Sequence, residues 1–336
     1  MIIPVVLCVA IVIFTILYIS PGDPVTTQLG NSYSEEAYNT TAVEFGLARE
    51  TTDADGNTTI VMKGYFEQLG EFLYKFFIKF DMGTSWEANK TNVKIAPELF
   101  SRFPRTALIA VACCILQVLI ALPLGVTAAT HQNSFIDKFC IVLAMIGISV
   151  PGFWIGLMFI LLFSVTLGWL PTAGVEHWYS YILPIAANAL QGIGSLTRMT
   201  RSQMLEVIRS DYVITARAKG VPERKILYSH ALPNALIPVI TFVGTHFGRA
   251  LGGTVVIETV FNVPGVGMYI MTAVRNANYP VVRSGITLIS IMFCIIVLLV
   301  DISYAFIDPR IKAQYENSSK KRSKKAKAGK GAAVNA

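Results

Sequence analysis

The sequence predicts an all-α polytopic membrane protein, and two features of its 336 residues lead to that class. Hydrophobic residues make up 53% of the chain and charged residues only 15%, whereas soluble domains contain about 25% charged residues. Apolar runs without a charged residue recur along the chain, and several reach the ~20 residues that a helix needs to span the hydrocarbon of a bilayer. Buried core helices of a soluble protein do not account for so many runs of this length.

Six transmembrane helices are predicted from these runs. The run 139–175 is too long for one helix, and residues 168–174 contain the glycines and the proline of an exit turn. Residues 21–103 form the long segment between the first two spans, and residues 308–336 form a basic, low-complexity tail. The predicted spans are 1–20, 104–130, 137–167, 180–206, 233–257 and 283–307.

The basic residues predict the orientation of these spans, because short cytoplasmic loops carry an excess of Lys and Arg. Basic residues are dense in 198–225 and in the tail, whereas the connection between the fifth and sixth spans carries only Arg275 and Arg283. Both termini are therefore predicted to be cytoplasmic, and the segment 21–103 is predicted to be extracytoplasmic.

The stretch 210–233 is polar and basic, although it lies between two apolar spans. Ser210 or Asp211 can cap a first short helix, and Gly220 can end it because glycine accepts the left-handed conformation. A second helix can open at Pro222, whose fixed φ and missing N–H suit a first helical turn. Two short helices at a membrane face are typical of a docking site for a soluble partner, and we assign this role to the loop 207–232.

The spacing from Gly220 to Leu232 and Pro233, with Ala216 and Ala218 before the glycine, resembles the cytoplasmic loop by which ABC importer permeases engage their ATPases. Further segments resemble the same family, in order: 20–24 (SPGDP), 80–85 (FDMGTS), 93–106, 149–154 (SVPGFW), 198–206, 258–267 (ETVFNVPGVG), 278–282 and 301–311. Together they resemble the B-type permease subunit of dipeptide and oligopeptide ABC importers, a family that includes nickel permeases. The resemblance covers residues 1–312.

The resemblance implies a type I ABC importer permease fold in a bacterial cytoplasmic membrane, with five helices in the core 104–307 and an added first helix. It implies that the chain forms half of a translocation pathway for dipeptides or oligopeptides; nickel or a metal chelate is the alternative cargo. The implied partners are a second homologous permease, two ABC ATPase subunits and an extracytoplasmic substrate-binding protein. Relatives usually begin with a basic turn, and because Met1 is followed directly by apolar residues we expect a start site upstream of it.

ATP hydrolysis is expected in the partner subunits, since the chain has no phosphate-binding loop of the GxxxxGK[ST] type. We expect no catalytic residues, no cofactor and no nucleic-acid partner. A membrane-embedded enzyme and a stand-alone channel are weaker alternatives, because neither gives the docking loop a function.

The predicted ATPase contacts lie in the docking loop. The wider importer class has Glu-Ala-Ala where this chain has Ile214, Thr215 and Ala216, so the salt bridge to the ATPase is assigned to other charges of the loop. A merely solvated helix face is the alternative interpretation of these charges. The predicted docking residues are Asp211, Ala216, Arg217, Ala218, Lys219, Gly220, Leu232 and Pro233, of which Asp211, Arg217 and Lys219 are the candidate ion-pair partners.

Pro151 interrupts the third span, and proline removes a backbone hydrogen bond and kinks a helix. One interpretation is a bend that shapes the translocation path, with Ser149, Phe153 and Trp154 beside it. The other is a bend that serves packing alone.

His246 and Arg249 are ionisable residues in the otherwise apolar fifth span, and such groups usually face a cavity or a partner. We expect Arg249 to face the pathway and to meet an anionic group such as a peptide carboxylate. The alternatives are an Arg249 side chain that reaches the membrane interface or one that pairs with an acidic neighbour. A metal site is not expected, because the four histidines lack a second ligand at metal-binding spacing.

Residues 65–80 place aromatic and apolar side chains at helical spacing, which predicts an amphipathic helix. It packs on the outside of the helical bundle or lies at the lipid interface in one interpretation. In the other it forms part of the rim that receives the binding protein.

Overall fold

The computed structural model describes residues 2–30, 33–52, 58–86 and 93–307, and most of these residues are helical. The turn predicted at 53–57 and the tail 308–336 lie outside the described residues. The helices are α1 (Ile2–Ile19), α2 (Pro24–Leu29), α3 (Glu35–Glu44), α4 (Tyr65–Leu73), α5 (Ile95–Thr130), α6 (Phe135–Ser149), α7 (Gly152–Phe159), α8 (Ile182–Ile208), α9 (Asp211–Ala218), α10 (Glu223–Lys225), α11 (Leu232–Val260), α12 (Val266–Arg275) and α13 (Tyr279–Ile307).

Short elements complete the fold. Strands β1 (Ala48–Thr52) and β2 (Thr58–Met62) form an antiparallel pair with Ala48 opposite Met62. In the described residues, a 3₁₀ turn, Trp178–Tyr181, precedes α8. The π-helical turns are Tyr74–Ile78 after α4, Ile160–Thr166 after α7 and Ile226–Ala231 between α10 and α11.

The chain divides into two compact units. Of the described residues, unit 1 comprises those within 2–113, 150–190 and 249–294, and unit 2 comprises those within 114–149, 191–248 and 295–307. The buried apolar side chains of unit 1 include Ile95, Leu99, Val266, Val281, Ile109, Ile257, Phe261 and Val263. Those of unit 2 include Ala121, Leu196, Val239, Met204, Ala231 and Ala235.

Local sequence accounts for the C-terminal end of α1 and for the predicted exit turn. The SPGDP segment stops α1 at Ile19, and the Asp23 carboxylate then accepts the Val25 N–H at 2.9 Å and caps α2. After the third predicted span, Gly168 and Gly174 have φ of +65° and +89°, a conformation that glycine adopts readily. Both turns therefore lie where the sequence predicts them.

Four of the described helices are long and apolar enough to cross a membrane, and a fifth span is present if the bent pair of α6 and α7 counts as one. The apolar stretches are Ile2–Ile19, Ile95–Thr130, Glu223–Gly248 and Tyr279–Val300. The predicted span 180–206 is helical as α8, but it is not among these stretches. Its polar and charged side chains, among them Asn188, Gln191, Arg198 and Arg201, make it less apolar than the others.

The predicted amphipathic helix begins at Tyr65 and continues as a π-helical turn to Ile78. Its Phe72 and Phe76 side chains are buried in a cluster with Ala10 and Phe14 of α1. The packing interpretation is thus supported by contacts with α1. The predicted role as a rim for a binding protein stays a prediction.

Candidate functional site

The docking segment, residues 207–232, folds as two short helical pieces, as its pattern predicts. Gly220 follows the last turn of α9 with φ of +78°, and its N–H donates to the Arg217 carbonyl at 2.9 Å. The Val221 N–H donates to the Ala216 carbonyl at 3.2 Å, which closes the helix end. Nothing lies within 4 Å of the place that a Cβ of Gly220 would take, so the left-handed backbone is the reason for glycine here.

The cap residues of the two helices lie where the sequence predicts them, with one difference in a hydrogen bond. Ser210 stands at the N-cap position, but its hydroxyl donates to the Val207 carbonyl at 2.6 Å and makes no capping bond to α9. Asp211 is the first residue of α9, where a negative charge favours the helix dipole. Pro222 is the cap residue of α10, and its carbonyl accepts the Lys225 and Ile226 N–H groups at 2.9 and 3.0 Å, so the second helix opens there as predicted.

An ion pair joins the two pieces of the docking segment. The Arg217 Nη2 lies 2.6 Å from Glu223 Oε1, and Arg217 Nε donates to Glu223 Oε2 at 3.0 Å. The hydrogen bond to Glu223 raises the pKa of the Arg217 guanidinium above its ordinary value. Both side chains are exposed, 39% and 55%, and exposed pairs stabilise by only about 0–1 kcal/mol. Arg217 is thus engaged within the segment, and its contact with an ATPase stays a prediction.

Polar contacts also connect α9 to the start of α11. The Asn234 Nδ2 donates to the Tyr212 hydroxyl at 3.0 Å and to the His230 carbonyl at 2.8 Å, and the Tyr212 hydroxyl donates to the same carbonyl at 3.4 Å. Val213 and Ile226 are fully buried and anchor α9 and the following π-helical turn. Sequence reasoning missed Tyr212, Glu223 and Asn234, because their contacts follow no helical period.

The predicted docking residues present a mostly exposed surface. An open cleft of about 490 Å³ beside them is lined by Pro222, Arg224, Lys225, Tyr228 and Ser229. Its two basic residues suit a partner that carries acidic groups. Of the predicted residues, Ala216 and Leu232 are half-buried, and Asp211, Arg217, Ala218, Lys219, Gly220 and Pro233 are exposed.

A largely buried ion pair in unit 2 joins α6 to α8, the helix that precedes the docking segment. The Arg201 guanidinium of α8 donates to both carboxylate oxygens of Asp137, at 2.6 and 2.7 Å. The Asn133 N–H donates to the same carboxylate at 2.9 Å, and Arg209 Nη2 donates to Gln132 Oε1 at 3.0 Å. These bonds fix the base of α8 to the turn between α5 and α6. Sequence reasoning missed them.

The predicted interruption at Pro151 is present as a break between α6 and α7. In unit 2, Ser149 ends α6, and its hydroxyl donates to the Met145 carbonyl at 2.9 Å. In unit 1, Pro151 is extended, and α7 starts at the next residue. Phe153 and Trp154 are 48% and 47% exposed. Their lining of a pathway stays a prediction.

The two ionisable residues predicted for the fifth span both lie in α11. The His246 ring is half-buried, with its centroid 4.3 Å from that of Phe242. The side chain of Arg249 lies outside the described part of the structure. The pathway role of both residues stays a prediction.

Glu258 organises a buried turn that sequence reasoning quoted only as part of a motif. The side chain is fully buried, and its Oε1 accepts the Thr106 hydroxyl at 2.6 Å while Oε2 accepts the Met268 N–H at 3.0 Å. Thr106 Oγ1 accepts in turn the Val266 N–H at 2.9 Å. A Cβ at Gly267 would overlap the Val255 backbone, so this glycine is required for close approach. The ETVFNVPGVG motif therefore encodes a hydrogen-bonded turn from α11 to α12.

Comparison with known proteins agrees with this architecture. Residues 121–313 match the family described as the binding-protein-dependent transport system inner membrane component. A putative peptide transport system permease protein of Brucella abortus (strain 2308) is 37% identical in an alignment of 318 residues that covers 92% of this chain and 96% of the relative. A dipeptide transport system permease protein of Alkalihalophilus pseudofirmus is 35% identical over 93% of this chain and 97% of its own length. A glutathione transport system permease protein of Salmonella typhimurium (strain LT2) is 35% identical over 92% of this chain and 95% of its own length.

The fold is also found among solved structures. A chain of the MetNI methionine ABC transporter in an inward-facing conformation aligns with a TM-score of 0.56 and 18% identity, covering 63% of this chain and 96% of that chain. A second crystal form of the same transporter aligns with a TM-score of 0.53 and 17% identity, covering 64% of this chain and 98% of that chain. At such identities the likeness shows a shared type I importer permease fold.

These matches define a multi-pass inner-membrane permease. The chain belongs to the family of inner-membrane components of binding-protein-dependent transport systems. It is a transport subunit of an ABC importer that works with a binding protein and with separate subunits that hydrolyse ATP.

Proposed function

We propose that the chain forms half of the translocation pathway of an importer that takes up dipeptides or oligopeptides, driven by ATPases that dock on residues 207–232. The relatives reported above are named for peptides, a dipeptide and glutathione, which favours peptide cargo over nickel or a metal chelate.

The observation that carries the proposal is the docking segment. It is exposed on its outer side, yet it is held in one shape by Gly220, by the Arg217–Glu223 pair and by the contacts of Tyr212 and Asn234. A segment that keeps its shape without a partner can transmit movement of an ATPase to α8 and α11. In this proposal both termini and the docking segment are cytoplasmic, as the basic residues predict.

The proposed assembly contains a second homologous permease, two ABC ATPase subunits and an extracytoplasmic substrate-binding protein. ATP-driven closure of the ATPases would move the docking segments and open the pathway alternately to the two sides of the membrane.

Copurification from the native membrane tests the assembly. Tagged, detergent-solubilised chain is expected to recover a second permease and two ATPases, and Gly220→Asp is expected to lose the ATPases because the side chain strains the left-handed turn. Gly168→Asp is the matched control, since Gly168 is also exposed, left-handed and free of neighbours within 4 Å. Recovery of the chain alone in every case would contradict the proposal.

Uptake of labelled cargo by cells tests the substrate. Accumulation of a labelled dipeptide that is lost with Gly220→Asp and retained with Gly168→Asp is expected. Accumulation of labelled nickel without peptide uptake would favour the alternative cargo.

A further inference from the structure

A cavity of about 230 Å³ lies in unit 1, among residues of the predicted extracytoplasmic segment and the adjacent helices. Four aromatic side chains contribute to its walls: Phe14 and Tyr18 of α1, Trp86, and Tyr279 at the start of α13. Trp86 is held rigidly, because Asn278 Oδ1 accepts its backbone N–H at 3.0 Å and the Phe45 ring stacks on it at 4.8 Å. The cavity is therefore aromatic and preformed.

Arg283 contributes a cation to this cavity. Its guanidinium lies over the Phe72 ring at 4.8 Å and the Phe14 ring at 5.8 Å. Its Nε is buried and makes no hydrogen bond with the residues that the structure describes. A buried donor without a partner destabilises a fold, and more so if it is charged. Such a group indicates a function that needs it.

The acidic groups near Arg283 already have partners. Glu71, the carboxylate whose charge acts on Arg283, lies 2.6 Å from Lys63 Nζ and 3.7 Å from Lys75 Nζ. Asp23 also lines the cavity, but its carboxylate accepts the Val25 N–H at 2.9 Å and a hydrogen bond from the Tyr38 hydroxyl. In the adjoining cavity, Asp81 accepts the Gly83 N–H at 2.9 Å.

Among the described residues that line the cavity, Lys63 is paired with Glu71, whereas Arg283 lies beside aromatic rings and forms no ion pair with a described carboxylate. Guanidinium groups bind carboxylates in a bidentate geometry, and aromatic walls bury an apolar or aromatic side chain. The volume is below the about 300–1,000 Å³ of sites that enclose a drug-sized ligand, so it suits one end of a ligand.

We propose that this cavity binds the terminal carboxylate of a short peptide, with Arg283 on the carboxylate and Trp86 and Tyr18 against the last side chain. This inference rests on the proposed peptide cargo. It adds a contact point for peptides that is formed by residues other than the predicted pathway residues His246 and Arg249.

The probe is the dipeptide alanyl-4-nitrophenylalanine, whose ring quenches tryptophan fluorescence at short distance. The full-length permease complex, without its binding protein, is titrated in nanodiscs of zwitterionic lipid. Saturable quenching is expected, at least tenfold weaker for the peptide amide, which has no carboxylate. Trp86→Phe is expected to remove the saturable part of the quenching.

Arg283→Gln is expected to weaken binding of the acid at least tenfold. Arg102→Gln is the matched control, because the Arg102 guanidinium also lies over a ring, 4.7 Å from the centroid of Tyr269, but pairs with Glu98 at 3.0 Å. It is expected to change binding less than twofold. If Arg283→Gln does not fold, the comparison of acid with amide and the Trp86→Phe variant decide the question.

Equal binding of acid and amide, or quenching that persists in Trp86→Phe, would overturn the inference. Loss of peptide binding in nanodiscs that contain phosphatidylglycerol would also overturn it, in favour of a lipid phosphate. The two proposals can fail separately. If peptide binds the cavity but is not taken up by cells, the proposed peptide cargo is refuted. If peptide is taken up but does not bind the cavity, the proposed binding site is refuted.

Discussion

The two ends of α11 are joined to their neighbouring helices in opposite ways. At its N-terminal end, in unit 2, the docking segment is closed by an ion pair whose side chains are 39% and 55% exposed. At its C-terminal end, in unit 1, the turn to α12 is closed by Glu258, which is fully buried. An exposed pair can exchange its partner for another at little free energy, whereas a buried network has one low-energy arrangement. The difference is consistent with the proposal that a partner binds at the N-terminal end of α11, while the buried network at the C-terminal end holds one shape.

The largest effect is expected at the buried end. Glu258→Ala leaves the Thr106 hydroxyl and the Met268 N–H without their acceptor, and each such loss destabilises by about 1–3 kcal/mol. Thermal unfolding of the solubilised chain should show a free energy of unfolding lower by about 3 kcal/mol, from these two losses together. Glu258→Gln is the control, since its amide oxygen still accepts one of the bonds. Equal stability of Glu258→Ala and the unaltered chain would show that the network does not hold the turn.

Asp137→Ala should have the next largest effect. It leaves Arg201 without its carboxylate, and removal of one partner of a buried pair typically destabilises by about 3–5 kcal/mol. We expect about 2 kcal/mol, because Arg201 keeps 22% of its side chain exposed and is hydrated there. Asp137→Asn should lower the free energy of unfolding less, since its amide oxygen still accepts a hydrogen bond from Arg201. The same unfolding assay measures both, and a Asp137→Ala variant as stable as Asp137→Asn would contradict this account.

Gly220→Ala should destabilise by about 1 kcal/mol, because a left-handed backbone is strained for any residue with a Cβ. There is room for the methyl group, so the effect should appear more strongly in ATPase copurification than in unfolding. Gly267→Ala is the contrasting variant. Its methyl group would clash with the Val255 backbone, so its main effect should be a lower free energy of unfolding. Normal ATPase recovery with Gly220→Ala would show that the glycine is not required for docking of the ATPases.

The smallest effect is expected for the exposed pair. Glu223→Gln should lower the free energy of unfolding by less than about 1 kcal/mol. If the pair sets the shape of the docking surface, ATPase recovery should fall while stability is unchanged. Arg224→Gln is a control that removes a charge from the same exposed surface without touching the Arg217–Glu223 pair. Because the two variants change the net charge in opposite directions, an equal fall in both would show that neither the Arg217–Glu223 pair nor the net charge determines ATPase recovery.

Sequence reasoning predicted the two short helices of the segment 207–232 because their signals are local. Gly220 and Pro222 mark the end of one helix and the start of the next through their own backbone preferences. The same reasoning quoted the motif around Glu258 without a role for the carboxylate, because its partner Thr106 is 152 positions away. Asp137 and Arg201 are 64 positions apart and were missed for the same reason.

The sequence by itself determined the membrane class, most helix positions and the turns at 20–24, 168–174 and 220. Apolar length and the backbone preferences of glycine and proline act over a few residues, so they can be read along the chain. Only the tertiary structure decided that Arg217 pairs with Glu223, that Glu258 closes the turn to α12 and that Arg283 lies over two rings. Those outcomes depend on which side chains meet after distant helices pack, and no local pattern contains that information.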